Sequence, residues 1–560
     1  MDNYKIADSF SLLAKLMDIH GENSFKSKSY SSAAFAIENL TVQLTDLPPE
    51  KMATLKGIGA SSAQKISELL GSGELKILEE LIKKTPPGVL EMLNIKGIGP
   101  KKIHTIWKEM EIESVGELLY ACKENRLKLY KGFGEKTQQN VIDTIEFYFK
   151  NKGSHLYAQV ALIAPHIKSF IETIFPNKQL AVTGNFKRQM EVIDELEFLI
   201  ETSEKEIETA MTTVDGFTFK ERTSDSFTYS TSAGVNVKLY WAGATHFMEA
   251  LIQTSSSESF NNAFFKTTIT SPIIDVASEA DYFKAAGIMY IPSCLRENAE
   301  IIETARKGQV PPIIQPSDIR GIIHCHSNWS DGSNTIEQMA GAAMERGLEY
   351  LVLSDHSRSA FYAQGLTEER IREQHLYIDE LNEKLKPFRI FKSIESDILN
   401  DGNLDYSNEV LATFDLVIAS VHSNLKMTEE KAMMRLLKAI ENPYTTILGH
   451  MTGRLLLSRP GFPVNHSKII DACAANQVVI ELNAHPNRLD IDWRHIQYAL
   501  EKNVLISIDP DSHHTDGLDD TRFGVLVAQK AMLTKEKNLS SFSLNEFEHY
   551  INNRKQLKHI

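Results

Sequence analysis

The chain has 560 residues, 42% of them apolar and 24% charged. It is several times the usual domain size of about 100 to 150 residues, so two to four globular domains are expected, each able to bury its own core. The net charge of −14 argues against a protein that merely coats nucleic acid. The balance is uneven: residues 1–150 hold 20 Lys/Arg and 20 Asp/Glu, and the remainder holds 40 against 54. All the excess acid therefore lies beyond residue 150, where a metal site would put some of it. Cys122, Cys294, Cys325 and Cys473 stand far apart without a CxxC. This excludes a disulfide framework or a zinc ribbon and fits a reducing cytoplasm. The start, MDNYKIADSFSLLAKLMD, has acids where a signal peptide needs a basic stretch, and no run approaches ~18 apolar residues. A soluble cytoplasmic protein without a membrane partner is expected.

In chain order, residues 1–150 read as short helices broken by glycines, with a weak internal repeat: LKGIGASSAQKI at 55–66, IKGIGPKKIHTI at 95–106 and YKGFGEKTQQNVI at 130–142. Each is a Gly-apolar-Gly turn entering a helix. Such a turn points backbone N–H groups outward, and these bind phosphate without reading sequence. Lys56, Lys96, Lys101, Lys102, Lys131 and Lys136 flank the turns and add salt-dependent attraction to a nucleic-acid backbone. Residues 155–300 mix helices with strand-like stretches (AVTGNF, LEFLIE, FTFKER, VNVKLYWA), which predicts an α+β unit. Pro311, Pro312 and Pro316 mark a linker before Gly321.

From 321 onward seven short apolar runs follow one another: GIIHCH, YLVLSDH, IFKSIESD, LVIASVH, TTILGH, VVIELNAH and VLISIDPDSH. Most are separated by stretches long enough for a helix, such as IEQMAGAAMERG and EEKAMMRLLKAI. Strand and helix alternating in this way predict a parallel barrel whose site gathers at the C-terminal strand ends. Those ends carry His324, His326, Asp331, His356, Glu395, His422, His450, Asp511 and His513. Imidazole and carboxylate suit Zn, Mn and Fe, and nine converging groups suffice for two or three divalent ions. Ions so close together generate a bound hydroxide at neutral pH, neutralise phosphate oxygens and stabilise the leaving oxyanion, as phosphodiester hydrolysis requires. A single His after a strand is usually structural, but 11 of the 18 histidines fall between 324 and 514, and six of them sit at or beside five different strand ends. His485 and His514 lie close enough in sequence for substrate contact, whereas His375, His466 and His495 have weaker claims.

The series HCHSNWSDG, SDHS, isolated Glu395, SVHS, GHMTGR and DPDSHHTDGLDD resembles the successive motifs of the PHP (polymerase and histidinol phosphatase) domain over about 240 residues. The resemblance implies a distorted (β/α)7 barrel with a trinuclear site and all nine ligands present. NAHPNRLDIDW resembles a segment of PHP domains fused to polymerases, and it offers Arg488 either as a phosphate contact or as a plain surface residue. The three glycine turns resemble helix-hairpin-helix motifs. Their expected DNA contacts are Lys56, Gly57, Gly59, Lys96, Gly97, Gly99, Lys101, Gly132, Gly134 and Lys136. With GENSFKSKSYSSAAFAIENL at 21–40, residues 1–300 resemble the family X DNA polymerases, which include bacterial enzymes fused to a PHP domain.

That family's palm carries a Gly-Ser, two basic residues, an Asp-x-Asp pair and a third Asp on a later strand. Here TGNFKRQMEVIDELEFLI keeps Gly184, Lys187 and Arg188 but has Asn185 for the Ser, and Glu195 and Glu197 for the aspartates; Lys238 stands at the third position. A Glu displaces its carboxylate by about an ångström, and misplacement of that size can cost ~100-fold in rate. A Lys offers no lone pair and repels a cation. TSSSESF at 254–260 also lacks the Gly-Ser of the family's thumb. A palm fold kept without its chemistry is therefore expected.

The expected domains are 1–85 and 86–150 (helical, helix-hairpin-helix, the second fingers-like), 151–240 (palm-like nucleotidyltransferase), 241–300 (thumb-like), a linker at 301–320, and the PHP domain at 321–560. The expected function is a metal-dependent DNA phosphoesterase in DNA repair, a 3′-to-5′ exonuclease on gapped DNA or free 3′ ends, with polarity implied by the resemblance alone. The alternatives are an active gap-filling polymerase with a proofreading PHP domain, a non-catalytic DNA-end binder, and a small-molecule phosphatase.

Overall fold

The computed structural model describes the whole chain except residues 124–126, 128–129, 152, 233, 268, 270–271 and 458–459. They form two compact units, Met1–Lys152 and Gly153–Ile560.

The first unit is all helical. Helix Asn3–His20 starts where the Asp2 side chain accepts from Lys5 N and stops at Gly21, whose φ of +72° closes the last turn. Its Ile6, Phe10, Leu13 and Met17 recur at helical spacing and are buried in the same core as Tyr30, Ala33 and Ile37 of helix Ser24–Glu38. The three glycine repeats take one conformation. Gly57, Gly97 and Gly132 have φ of +89°, +90° and +94°, which a side chain would strain. The apolar residue that follows, Ile58, Ile98 or Phe133, is buried, and its N–H donates to the carbonyl of Leu55, Ile95 or Tyr130 at 3.0, 3.2 and 3.1 Å. The second glycine then leads into helix Ala60–Ser72, Pro100–His104 or Glu135–Asn151. At Gly57 a methyl group would also stand 2.7 Å from Ala36 Cβ, whereas at Gly97 it would meet nothing. Gly57→Ala should therefore cost stability through both strain and overlap, about 1–3 kcal/mol, and Gly97→Ala through strain alone. Midpoints of thermal unfolding of the two variants rank the effects, and equal midpoints would contradict the contact with Ala36.

The second unit begins with a five-stranded sheet. The strands in chain order are β1 (His155–Leu156), β2 (Leu180–Thr183), β3 (Val192–Ile193), β4 (Glu195–Glu201), β5 (Phe217–Arg222), β6 (Ser226–Thr231) and β7 (Asn236–Ala242). β1 and β3 form a separate two-stranded ribbon, and the sheet order is β2-β4-β7-β6-β5 with β4 and β7 parallel. Two differences from the sequence reading have local causes. The AVTGNF strand ends at Thr183, because Gly184, with φ of +64°, turns the chain into the short helix Gly184–Lys187. SFTYST, a further strand rich in Ser and Thr, lies inside the sheet with four residues buried. Its alternating β-branched and aromatic residues are the signal that its polarity masks. Residues 301–320 are no open connection: helix Glu300–Arg306 packs its Ile301, Ile302 and Ala305 inward, and fully buried Ile314 joins the barrel core while its N–H donates to Leu533 O at 2.8 Å.

The remainder is a seven-stranded parallel sheet, β8 (Gly321–Cys325), β9 (Tyr350–Leu353), β10 (Arg389–Asp397), β11 (Leu416–Ser420), β12 (Thr445–Leu448), β13 (Val479–Asn483) and β14 (Ile506–Asp509), in consecutive order. A parallel bridge from Cys325 to Ser512 brings its ends together, giving a nearly closed (β/α)7 barrel. The intervening helices bury one stripe each. In Glu429–Glu441, capped by the Thr428 side chain, the stripe is Ala432, Leu436, Ala439 and Ile440. Along the strands the period of two separates two cores. Ile322, Leu351, Val417, Ile480 and Ile508 belong to the helix-facing layers, whereas Ile323, Val352, Ile418, Ile447 and Val479 pack with Phe547 and Ile551 of helix Leu544–Lys558 in a separate cluster. No helix among the described residues is long and apolar enough to cross a membrane.

Candidate metal centre

The alternation that turns Ile323 and Val479 to the inner face, toward helix Leu544–Lys558, continues up the strands to acids and imidazoles. On β10 it sends Ile394 outward and Glu395 and Asp397 inward; on β13 it sends Ile480 and Leu482 outward and Glu481 inward. On β8 the pattern is reset. His324 has φ of +64°, in a register shift between Ile322 and Cys325, so His324 joins the inner polar cluster while Cys325 joins the helix-facing core. Asp511, just beyond β14, has φ of +52°. Two of nine predicted ligands in the left-handed region are backbone strain concentrated at one place, a mark of functional sites.

All nine predicted ligands come together around Glu395, whose side chain is fully buried. Its Oε1 lies 3.3 Å from His324 Nε2, 3.1 Å from His422 Nε2 and 2.9 Å from His450 Nε2. Its Oε2 lies 3.0 Å from His356 Nδ1 and 3.7 Å from His326 Nε2. Asp511 Oδ1 is 3.0 Å from His326 Nε2 and 3.4 Å from His324 Nε2. Asp331 reaches His513 Nε2 at 3.4 Å and His356 Nε2 at 3.6 Å. Three overlapping donor sets result: His324, His326, Glu395 and Asp511; His326, Asp331, His356 and His513; and His356, Glu395 and His422, with the donor atoms of each set within 4.8 Å of one another.

These donors fit divalent cations. His324 Nε2 and Glu395 Oε2 are buried yet have no hydrogen-bond partner, which is costly for a protein interior unless something else engages them. The electrostatics also call for positive charge. Burial alone would raise the Glu395 carboxyl, but the imidazoles of His422, His324 and His356 hold it well below the usual range. Burial would lower His324, and the carboxylates of Glu481, Asp511 and Glu395 instead hold it well above an ordinary imidazole. Bound cations would take over the role that those protons play.

Behind the donors stand residues not picked out from the sequence. Glu481 accepts from His324 Nδ1 and from the His450 backbone N–H, and Asp397 accepts from His422 Nδ1, so each imidazole presents its other nitrogen to the centre. Asp355 accepts from Ser327 N, Ser327 Oγ, Ser330 Oγ and Gln374 Nε2 at 2.6–2.8 Å and so holds the loop that carries His326 and Asp331. The available signal was an acid inside an otherwise apolar strand, as in VVIELN, because a fully buried carboxylate needs dedicated partners. Glu481→Gln should weaken divalent-metal retention about 10- to 100-fold. Metal content after dialysis against graded chelator measures this, and wild-type retention would refute the role.

Of the remaining predictions, Arg488 Nε lies 3.6 Å from Asp511 Oδ2, at the edge of the centre. His485 is close enough for Asp511 and Arg488 to act on it, burial lowering its pKa first. His514 is committed elsewhere, since its Nδ1 accepts from Gly517 N at 3.1 Å. His375 packs edge-on against Phe414, and His466 stacks on His495 at 3.8 Å, all outside the donor sets.

In the five-stranded sheet, Glu195 and Glu197 pair in register with Asn236 and Lys238. Lys238 Nζ donates to Glu195 Oε2 at 3.2 Å, while Glu197 accepts from Tyr240 OH and Asn185 N, each at 3.0 Å. The Glu197 carboxylate fills the space above Gly184, where a methyl group would fall 1.8 Å from its Oε1, and burial pushes its pKa up. The motif cations are also engaged. Lys187 pairs with Glu279 at 2.8 Å, and Arg188 donates to Asn185 and lies 3.7 Å from Glu297.

In the first unit, Lys56, Lys96, Lys101, Lys131 and Lys136 are exposed, and none makes an ion pair among the described residues. Gly59 and Gly99 open their helices without a side-chain cap, and a methyl group on Gly59, Gly97, Gly99, Gly132 or Gly134 would meet nothing within 4 Å. The backbone is open to close approach at all three turns.

Comparison with known proteins agrees with this division. Residues 1–75 match a helix-hairpin-helix domain and residues 89–146 a SAM-like helix-hairpin-helix tandem. A Bacillus subtilis protein named DNA polymerase/3′-5′ exonuclease PolX is 30% identical over 558 residues, covering 96% of this chain and 97% of that one. A probable phosphatase of Thermoanaerobacter sp. is 24% identical over 248 residues, covering 42% of this chain and 94% of the phosphatase. A DNA ligase of Clostridium novyi is 44% identical over 59 residues, which are 10% of this chain and 9% of the ligase. With likeness along nearly its whole length, the chain belongs to the PolX family, the family X DNA polymerases that carry a C-terminal PHP domain.

Proposed function

We propose that the barrel is a metal-dependent DNA phosphoesterase that removes nucleotides from 3′ ends in DNA repair, and that the five-stranded palm no longer transfers nucleotides. The observation that carries the first part is the convergence of eight His and Asp residues around Glu395, with five buried polar atoms of the cluster unpartnered. The donor set suits two or three ions of Mn, Zn or Fe, held by His324, His326, Glu395 and Asp511, by His326, Asp331, His356 and His513, and by His356, Glu395, His422 and His450. When bound, such ions supply Lewis acidity and activate water against a phosphodiester. The chain's own groups do the rest. Glu481 and Asp397 orient His324 and His422, and Arg488 offers a guanidinium at the rim that matches a phosphate.

The exonuclease polarity and the DNA substrate, gapped or with free 3′ ends, are supported by the name of the Bacillus relative and by the helix-hairpin-helix matches. In the proposed division residues 1–85 and 86–150 grip the phosphate backbone, 151–240 and 241–300 form palm-like and thumb-like parts, and 321–560 carry the chemistry in the cytoplasm. The loss of nucleotidyl transfer is supported by the Lys238–Glu195 pair and by Glu197 filling the space over Gly184. The same relative's name favours a second reading, an active polymerase.

One assay separates the readings. A 5′-labelled primer on a gapped template is incubated with Mn²⁺, with and without nucleotides, beside a His324→Ala, His326→Ala variant. Shortening that only the wild type performs supports the exonuclease; nucleotide-dependent extension by either protein restores the polymerase. DNA binding has its own test. Replacing Lys96 and Lys101 by Ala should lower the slope of log K against log salt by about 0.9 for each phosphate that is no longer neutralised. An unchanged slope would remove these lysines from the interface.

A further inference from the structure

Glu191 lies outside the degenerate palm site, between helix Gly184–Lys187 and β3, and it is buried against the barrel half of the same unit. Its carboxylate accepts from Trp493 Nε1 at 3.2 Å and from Arg494 Nη1 at 2.8 Å. Arg494 Nη1 also donates to both oxygens of Asp492 at 3.0 Å, and Asp492 Oδ2 accepts from Arg454 Nη1 at 2.7 Å. Arg454 in turn holds the backbone of the rim loop, donating from Nε to the Arg488 carbonyl at 2.9 Å and from Nη2 to the Leu489 carbonyl. The Arg488 side chain is the one whose Nε lies 3.6 Å from Asp511 in the metal centre.

Four side chains of alternating charge, Glu191, Arg494, Asp492 and Arg454, therefore run without a gap from the palm to the segment that aims Arg488. We infer that Glu191 is a positioning residue for the exonuclease: through this chain the palm fixes the loop that presents Arg488 to a substrate phosphate.

Several observations beyond the contacts support it. Three of the four members are shielded, with side-chain exposure of 8% at Glu191, 16% at Arg454 and 21% at Asp492, whereas Arg494 between Glu191 and Asp492 is half exposed, so the Arg454–Asp492 pair is the least screened by solvent. Burial opposes the charge on Asp492, yet Arg454 and Arg494 hold its pKa down to about 2, so this acid in the middle of the chain stays charged at any working pH. A second anchor meets Trp493 from the same side: Lys530 Nζ lies 4.7 Å from its ring while donating to the Arg188 carbonyl and to Glu297, both at 2.7 Å. An arginine on a loop loses affinity to the entropy of ordering it, and pre-anchoring the loop removes that cost before DNA arrives. A palm retained without nucleotidyl transfer would thereby keep a physical task.

The inference rests on the reading of Arg488 as a phosphate contact, and its test separates the two. Full-length wild type, Glu191→Ala, Glu191→Gln, Arg488→Ala and the Glu191→Ala, Arg488→Ala double variant are compared on a 5′-labelled single-stranded oligonucleotide with Mn²⁺. KM, kcat, metal content and thermal midpoint are recorded for each. Arg488→Ala should raise KM about tenfold, and Glu191→Ala about fivefold with kcat within about twofold and metal content unchanged. Glu191→Gln, whose single amide oxygen can still accept from Arg494 Nη1 while its NH2 cannot accept from Trp493 Nε1, should recover part of the loss. In the Arg488→Ala background Glu191→Ala should add nothing further.

Equal effects of Glu191→Ala in both backgrounds, or a joint fall of kcat and metal content, would overturn the coupling while leaving the Arg488 reading intact. An Arg488→Ala enzyme with wild-type KM would overturn both. Should Glu191→Ala fail to fold, Arg494→Ala breaks the same chain one step further on, and Trp493→Phe removes the other hydrogen bond to Glu191. A wild-type KM in both of these would equally overturn the coupling.

Discussion

Exonuclease activity should fall by well over about 100-fold when His324 and His326 are replaced together by Ala, because partners one shell further from a metal are already worth 10- to 100-fold. The pair is chosen because His326 belongs to two of the three donor sets and His324 to one, so the double change removes a donor from the first set twice and from the second once. Asp511→Asn, in the first set only, should act in the same direction. The measurement is the rate of shortening of a 5′-labelled primer with Mn²⁺, together with bound metal per chain. Loss of metal and activity together would place the chemistry in the barrel. Activity persisting in the metal-depleted double variant would place it elsewhere.

The second large effect is an absence. No nucleotide should be added to a gapped primer, either by the wild type or by the exonuclease-deficient variant in which a newly added nucleotide could not be removed again. Two independent features of the palm lead there. The Glu carboxylates sit about an ångström from where Asp carboxylates would, which alone can cost ~100-fold. The Lys238 ammonium, 3.2 Å from Glu195, already occupies the charge partnership that a catalytic cation would need. Lys187 and Arg188, the residual cations of the motif, are engaged by Glu279, Glu297 and Asn185. Replacing Glu195, Glu197 and Lys238 together by Asp should not by itself restore extension, since those pairs would remain. Extension by the unmodified chain would show instead that the Glu pair can bind metal and that the Lys238–Glu195 pair opens when DNA and nucleotide enter.

Much of this was legible from the linear pattern, for a physical reason in each case. Seven apolar runs ending in His or Asp could be read as a parallel barrel because strands buried on both sides must be apolar throughout, and ligands gather where such strands end. Glycines at 57, 97 and 132 could be read as turns because only glycine takes φ near +90° without strain. The proposal that Glu195, Glu197 and Lys238 stand in place of palm acids rests on their charge and length at those positions.

The tertiary structure alone decided what depends on partners distant in sequence. The role of Glu481 rests on His324, 157 residues away, that of Glu191 on Arg494, 303 residues away, and the inward turn of His324 on a backbone shift that no local propensity announces. A side chain's type fixes which bonds it can make, but which ones it does make is set by the groups that folding brings within about 3 Å of it.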